Sequence, residues 1–342
     1  MPTILHLPSI PWLPIPGEVD PNSRGQFALR QRPHHLMTEF ARQGWRSIFL
    51  ENGGGRAGRW EIEENLYVVR KHQYKDLLVP PVVMWAGWPG TVKDWLNKLT
   101  PDLFVYDCLD DASEEFAAWR KDMPFTRERA DIIFTTSKKL YHINSEEYRH
   151  KVHMLPNGVN YQHFVQTGHP KPEIYDERPV LLYVGAVAPW TDIKLVSEVA
   201  LRLPSWHVVI IGPHFGKVRR VAAKNITWMG YIPYAELPPY YEHASVAIAP
   251  FRVSEMLQGC DACKNYEYMA AGLPVVGTPI NEHLSKHPYI VTAGGPVEFA
   301  RLVKDVLKTK NEMREMRQSF AAQNTWTIRA QYALDVLQKR LS

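Results

Sequence analysis

The chain has 342 residues, 45% hydrophobic and 22% charged, which excludes a disordered protein and suits two domains of roughly 150 residues each. A net charge of +4 is too mild to mark a nucleic-acid binder but fits a partner carrying phosphates. Three cysteines argue against a disulfide framework, and no apolar run approaches the ~20 residues that span a bilayer, so a cytoplasmic protein without a signal peptide is expected.

In chain order, Thr3–Leu7 reads as a strand, followed by a Pro/Gly-rich loop through Gly25 and a helix over about Gln26–Gln43 that stops at Gly44. Strands are predicted at Arg46–Leu50, Leu66–Arg70, Val82–Trp85, Leu103–Tyr106 and Ile132–Thr135, with helices at Thr91–Leu99 and Ala112–Arg120. The pattern restarts after Pro156-Asn-Gly-Val-Asn160. Strands follow at Val180–Val184, His207–Ile211, Ile226–Trp228, Val246–Ala249, Pro274–Gly277 and Tyr289–Val291. Helices are predicted at Ile193–Arg202, Pro233–Glu242, Lys264–Ala271, Val297–Lys308, Asn311–Ala322 and Thr327–Leu341. Strands alternating with helices imply parallel sheets, hence an α/β protein of two Rossmann-like domains. Boundaries are expected at 1–165 and 166–325, with 326–342 a terminal helix able to pack on either domain.

Ligands of such sheets bind at the loops that follow the strands. Gly185-Ala186 follows one strand and Gly212 another, where small residues admit a ligand to the backbone. Lys264-Asn-Tyr266-Glu267 opens a helix whose first amides attract anions, and Asp261 is placed to cap it. Lys264 and Glu267 are three residues apart and share a face, so an ammonium can meet a diphosphate while a carboxylate accepts ribose hydroxyls. An incidental surface pair has the same spacing. In the first half, Asp107, Asp110 and Asp111 cluster after a buried strand, where neighbouring carboxylates tune one another for acid–base work. Asp110 or Asp111 can equally cap the next helix. Arg32-Pro33-His34-His35 puts two histidines in an opening turn, where they orient an acceptor or merely face solvent. Cys260-x-x-Cys263 lacks the second pair that a zinc site requires, so no metal is expected. Lys71, Lys75, Leu77, Leu78, Trp85 and Trp88 are either core or an apolar-basic membrane-docking surface.

Taken together, Arg32–His35, Tyr106–Asp111, Pro156–Asn160, the Gly185 loop, Gly212-Pro213 and Lys264-x-x-Glu267-Tyr-Met-Ala-Ala-Gly272-x-Pro274 resemble the GT-B glycosyltransferases of family 4 (group 1). Within these they are most similar to the teichuronic acid biosynthesis glycosyltransferases. The resemblance implies a GT-B fold with two parallel sheets facing across a cleft. It also implies transfer of a sugar, with retention, from a nucleoside-diphosphate donor (UDP or GDP) to a saccharide or lipid-linked acceptor in cell-envelope or capsular polysaccharide synthesis. Donor contacts would be Gly185, Ala186, Gly212, Arg252, Lys264, Tyr266 and Glu267. Arg32, His34 and His35 would face the acceptor, with Asp107 and Asp110 catalytic. No cofactor is implied. Two departures stand out: Gly259 occupies the place of the family's first paired glutamate, and Ala186–Trp190 replace its Lys-Gly. A nucleotide-sugar 2-epimerase and a non-catalytic nucleotide-sugar binder share the same expected fold.

Overall fold

The structure, a computed structural model, describes residues 1–8, 10–15, 29–51, 57–221, 223–281, 284 and 287–342. The chain divides into two units: Met1–Asn157 with Gly259–Asp261 and Trp326–Ser342, and Gly158–Gln258 with Ala262–Thr325. The first unit's main segment thus ends at Asn157, eight residues before the expected boundary.

The first unit contains β1 (Thr3–His6), α1 (Arg32–Arg42), β2 (Arg46–Glu51), β3 (Gly58–Glu63), β4 (Leu66–Arg70), β5 (Val82–Ala86), α2 (Val92–Leu96), β6 (Leu103–Cys108), α3 (Met123–Arg129), β7 (Ile132–Thr135), α4 (Lys138–Tyr148) and β8 (Val152–Met154). Its eight strands lie in the order β3-β4-β2-β1-β5-β6-β7-β8, parallel except for the antiparallel edge pair β3–β4. The central strands are buried at every position and mostly apolar, as burial on both faces of a parallel sheet demands. The chain steps to one side of β1 for β2 and to the other for β5, so the sheet's switch point lies between β1 and β5. The helix expected from Gln26 begins at Arg32, with Pro33 in its first turn; residues 26–28 lie outside the described residues. The helix expected at Ala112–Arg120 is a 3-10 segment, Glu114–Lys121, preceded by Ser113, so neither Asp110 nor Asp111 caps it.

The second unit contains α5 (Tyr161–Val165), β9 (Val180–Val184), α6 (Ile193–Arg202), β10 (His207–Ile211), β11 (Ile226–Gly230), α7 (Pro238–Glu242), β12 (Val246–Ala249), α8 (Glu255–Gln258), α9 (Cys263–Ala270), β13 (Val275–Gly277), β14 (Ile290–Thr292), α10 (Pro296–Lys308) and α11 (Arg314–Ala322). Its six strands run parallel in the order β11-β10-β9-β12-β13-β14. The switch point here lies between β9 and β12. α6 illustrates how sequence becomes packing. The Asp192 carboxylate accepts from the Leu195 amide at 2.9 Å, and Ile193, Val196, Val199 and Ala200 recur at helical spacing on the buried stripe. Those residues join Leu181, Val208, Val246 and Phe299 in one core cluster.

The last helix, α12 (Trp326–Leu341), belongs to the first unit, where it packs against α1. Its Ala330, Ala333, Leu334 and Leu337 are buried, and Trp326 stacks on His35 with ring centroids 5.2 Å apart.

Candidate functional site

In the second unit the switch point gathers the loops after β9, β10 and β12. Gly185 and Gly212 follow β9 and β10, each with φ +144, a conformation L side chains rarely adopt. The Gly185 amide donates to Ile211 O at 2.9 Å, and the Gly212 amide to Gly230 O at 2.7 Å, so three strand ends are laced together. A Cβ on Gly212 would stand 2.0 Å from Gly185 O. Ala186 offers its carbonyl to the Tyr183 hydroxyl at 2.7 Å and to Thr191 Oγ1 at 3.0 Å.

The helix α9 supplies the charges. Ala262, whose methyl group cannot cap, precedes it, and Asp261 instead accepts from the Asn157 amide at 2.7 Å. The expectation of an Asp261 cap is corrected accordingly. Lys264 Nζ donates to the Tyr183 hydroxyl at 3.1 Å and lies 4.3 Å from that ring's centroid and 4.9 Å from that of Phe251. A Cβ at Gly185 would come within 2.5 Å of this ammonium, which would have to swing aside. Three residues on, Glu267 Oε2 accepts from the Tyr241 hydroxyl at 2.9 Å. Burial pushes the Glu267 carboxyl up to about 7, against the opposing pull of Tyr241 and Lys264.

Three contacts fix α9 itself. The Tyr268 hydroxyl, fully buried, accepts from the Val184 amide at 2.9 Å. At the other end Gln318 Nε2 donates to Ala270 O at 3.2 Å and Arg317 Nε to Gly272 O at 3.0 Å, satisfying carbonyls the helix leaves open. Tyr266, expected to touch the donor, is a core side chain, 4% exposed and stacked with Phe320 at 6.3 Å. Arg252 is exposed and lines a cavity of about 440 Å³ together with Pro189, Lys194, Glu198, Lys217 and Arg219.

The first unit presents a different picture at its own strand ends. Asp107, 2% exposed, accepts from Arg32 Nη2 on Oδ1 at 2.8 Å and from Arg32 Nε on Oδ2 at 2.9 Å. Trp85 Nε1 adds a third bond, to Oδ2 at 3.2 Å. The remaining guanidinium nitrogen of Arg32 donates to Asn157 Oδ1 and Pro156 O, both at 3.2 Å. Arg32 and Asp107 therefore form a fully engaged buried pair, and neither is available to an acceptor, contrary to expectation.

His34 is likewise a core residue. Its Nδ1 accepts from the Gln31 amide at 3.1 Å, which leaves Nε2 to donate to Pro11 O at 3.0 Å, and its ring stacks on Phe49. Burial, with Arg30 nearby, lowers its pKa to about 3, so it shuttles no proton near neutrality. His35 is half-buried against Trp326. Asp111 pairs with Lys139 at 2.8 Å, whereas burial and then Asp111 push the Asp110 carboxyl up to about 6. Of the two acids expected to be catalytic, Asp107 is taken up by Arg32 and Trp85, and Asp110 titrates in the range of a proton carrier.

The candidates for a docking surface divide between core and surface. Trp85 and Leu77 are buried core residues, although Lys71, Lys75 and Trp88 are exposed. Among the described residues no group of three or more His, Cys, Asp or Glu side chains could hold a metal ion. No helix among them is long and apolar enough to cross a membrane. The tyrosines that hold Lys264 and Glu267, and the Asn157 contact to Arg32, escape sequence reasoning because the partners are 81, 26 and 125 positions apart.

Comparison with known proteins places this geometry. A Bacillus subtilis (strain 168) protein named as a teichuronic acid biosynthesis glycosyltransferase, TuaH, is 29% identical over 88% of this chain and 91% of its own. Sucrose-phosphate synthase from Thermosynechococcus elongatus superposes with a TM-score of 0.72 at 14% identity, covering 99% of this chain and 98% of that one. Anabaena HepE, solved in complex with UDP and glucose, gives a TM-score of 0.66 at 12% identity over 99% of each chain. Residues 178–309 match the family model described as glycosyl transferases group 1. The fold is that of the GT-B glycosyltransferases, and the stretch that matches the group 1 glycosyl transferase model contains Gly185, Gly212 and α9.

Proposed function

We propose that the protein transfers a sugar from a nucleoside-diphosphate sugar to a hydroxyl of a saccharide or lipid-linked acceptor, in assembly of a cell-envelope polysaccharide. The observation that carries this reading is the placement of Lys264 and Glu267 one turn apart on α9, beside backbone opened by Gly185 and Gly212. Glu267 accepts the ribose hydroxyls, and Lys264 with the first amides of α9 holds the diphosphate. As the C1–O bond to the diphosphate breaks, its electron pair leaves with the phosphate, and Lys264 offsets the new charge. The acceptor oxygen bonds to C1, and its proton passes to Asp110. Arg252, in its cation-lined cavity, is a further phosphate contact. The TuaH likeness supports a cell-wall acceptor, and the HepE complex supports a uridine donor. A retained anomeric configuration is the family's expectation.

Calorimetry with UDP, GDP and ADP, followed by transfer assays with the sugar of the nucleotide that binds, tests this. Glu267→Ala and Lys264→Ala are each expected to weaken binding by at least tenfold, and Asp110→Asn to abolish transfer while leaving binding intact. Unchanged binding by both α9 variants refutes the donor site. Gly259, without a side chain where a second glutamate would contact the sugar, favours one other reading, a non-catalytic binder. Nucleotide-sugar binding without turnover on any acceptor would establish that reading.

A further inference from the structure

The hydroxyl of Tyr241 does more than fill space. The ring is fully buried, packed between Phe164 and Tyr268 with centroids 4.7 and 5.5 Å away, so its position is set by α5 and α9. From there the hydroxyl donates to one oxygen of Glu267, and among the described residues no other group donates to that carboxylate. A carboxylate has about four acceptor sites, so one bond from below leaves capacity for a ligand on both oxygens.

We propose that Tyr241 is a positioning residue for nucleoside recognition: its hydroxyl fixes the plane of the Glu267 carboxylate so that the ribose meets a preset acceptor. This rests on the reading of Glu267 as the ribose contact. The charged and titratable surroundings are few. Lys264 lies one turn before Glu267 on α9, and Tyr268 and Tyr234 stand around Tyr241. α5 presents the apolar Phe164 and the titratable His163, whose ring stacks on Tyr234 at 4.5 Å, and the Arg317 and Gln318 bonds from α11 fall at the far end of α9. With the Tyr241 bond in place, Glu267 titrates near neutrality, at about 7. Removing a hydrogen bond to the charged form raises that value by about one unit or more.

The test is donor-nucleotide affinity between pH 6.5 and 9 for the wild type, Tyr241→Phe, Glu267→Gln and the double variant. The probe is whichever of UDP, GDP and ADP the wild type binds. Phenylalanine keeps the ring and its packing. At pH 7 the ionised fraction of Glu267 falls from about one half to about one tenth, so Tyr241→Phe is expected to bind about fivefold more weakly. At pH 9 the difference shrinks to about twofold or less. The double variant should match Glu267→Gln, because Tyr241 acts through Glu267. Wild-type affinity in Tyr241→Phe at every pH, or additive losses in the double variant, would overturn the positioning role, whereas a defect that persists at pH 9 reads the lost orientation of the carboxylate. Wild-type affinity in Glu267→Gln at every pH would instead overturn the ribose reading beneath it.

Discussion

At the scale of single residues, the strongest electrostatic commitment is the Arg32–Asp107 pair. Both members are nearly inaccessible and share two charge-assisted bonds, with Trp85 and Asn157 taking up the remaining capacity. Breaking such a pair from one side strands the other charge, at a cost of roughly 3–5 kcal/mol. Asp107→Asn is therefore expected to lower the melting temperature sharply through loss of stability. A variant that stays as stable as the wild type yet is inactive would restore Asp107 to a proton-transfer role. The sequence could not distinguish these outcomes. An aspartate after a buried strand looks alike whether it faces a substrate or an arginine 75 residues away. Lys264 and Glu267 were legible because helical spacing alone puts them on one face. Their tyrosine partners were not, since nothing local connects Tyr183 with Lys264 or Tyr241 with Glu267.

At the scale of elements, the strands read most accurately are those buried on both sides. Leu66–Arg70, Ile132–Thr135, Val180–Val184, His207–Ile211 and Val246–Ala249 agree residue for residue with expectation, as does the helix Ile193–Arg202. β3 was missed because an antiparallel edge strand, Gly-Arg-Trp-Glu-Ile-Glu, is half exposed and carries charge instead of an apolar run. α4 was missed for the opposite reason: it buries little beyond Leu140 and Asn144, so no stripe announces it. The lacing of β9, β10 and β11 yields a sharp contrast between two glycines. At Gly212 an added methyl would collide with the backbone carbonyl of Gly185, which cannot yield without moving β9. Gly44, with φ +85, has nothing within 4 Å of its would-be Cβ. Gly44→Ala should cost about 1–2 kcal/mol from backbone conformation alone. Gly212→Ala is expected to cost at least twice that and to abolish nucleotide binding. Comparable denaturation midpoints for the two variants would contradict this.

At the scale of the whole molecule, the first unit carries an acid-sensitive core. His6 and His34 are buried and neutral, each with its pKa lowered to about 3, chiefly by burial. In the unfolded chain both titrate near 6.5, so unfolding takes up protons as the pH falls below that value. Their contribution is full above pH 6.5 and is lost progressively toward pH 3, amounting to about 2 kcal/mol for each histidine at pH 5. Asp110, whose carboxyl is raised to about 6, opposes this over a narrower window. The net expectation is that β1 and α1 lose hydrogen-exchange protection free energy between pH 7.5 and pH 5. A constant value across that interval would exclude the two histidines as its source. The two parallel sheets were legible from the alternation of strands and helices, while the GT-B arrangement was implied only by the family resemblance. What alternation does not encode is membership. The first unit takes its last helix, α12, from the far end of the chain, after the second unit's residues have intervened. During synthesis, residues 158–325 emerge while the first unit still lacks the helix that buries Trp326, Leu334 and Leu337 against it. The nascent chain must therefore carry an unfinished first unit until residues 326–341 have emerged, and it is the later-born unit that can complete its fold first.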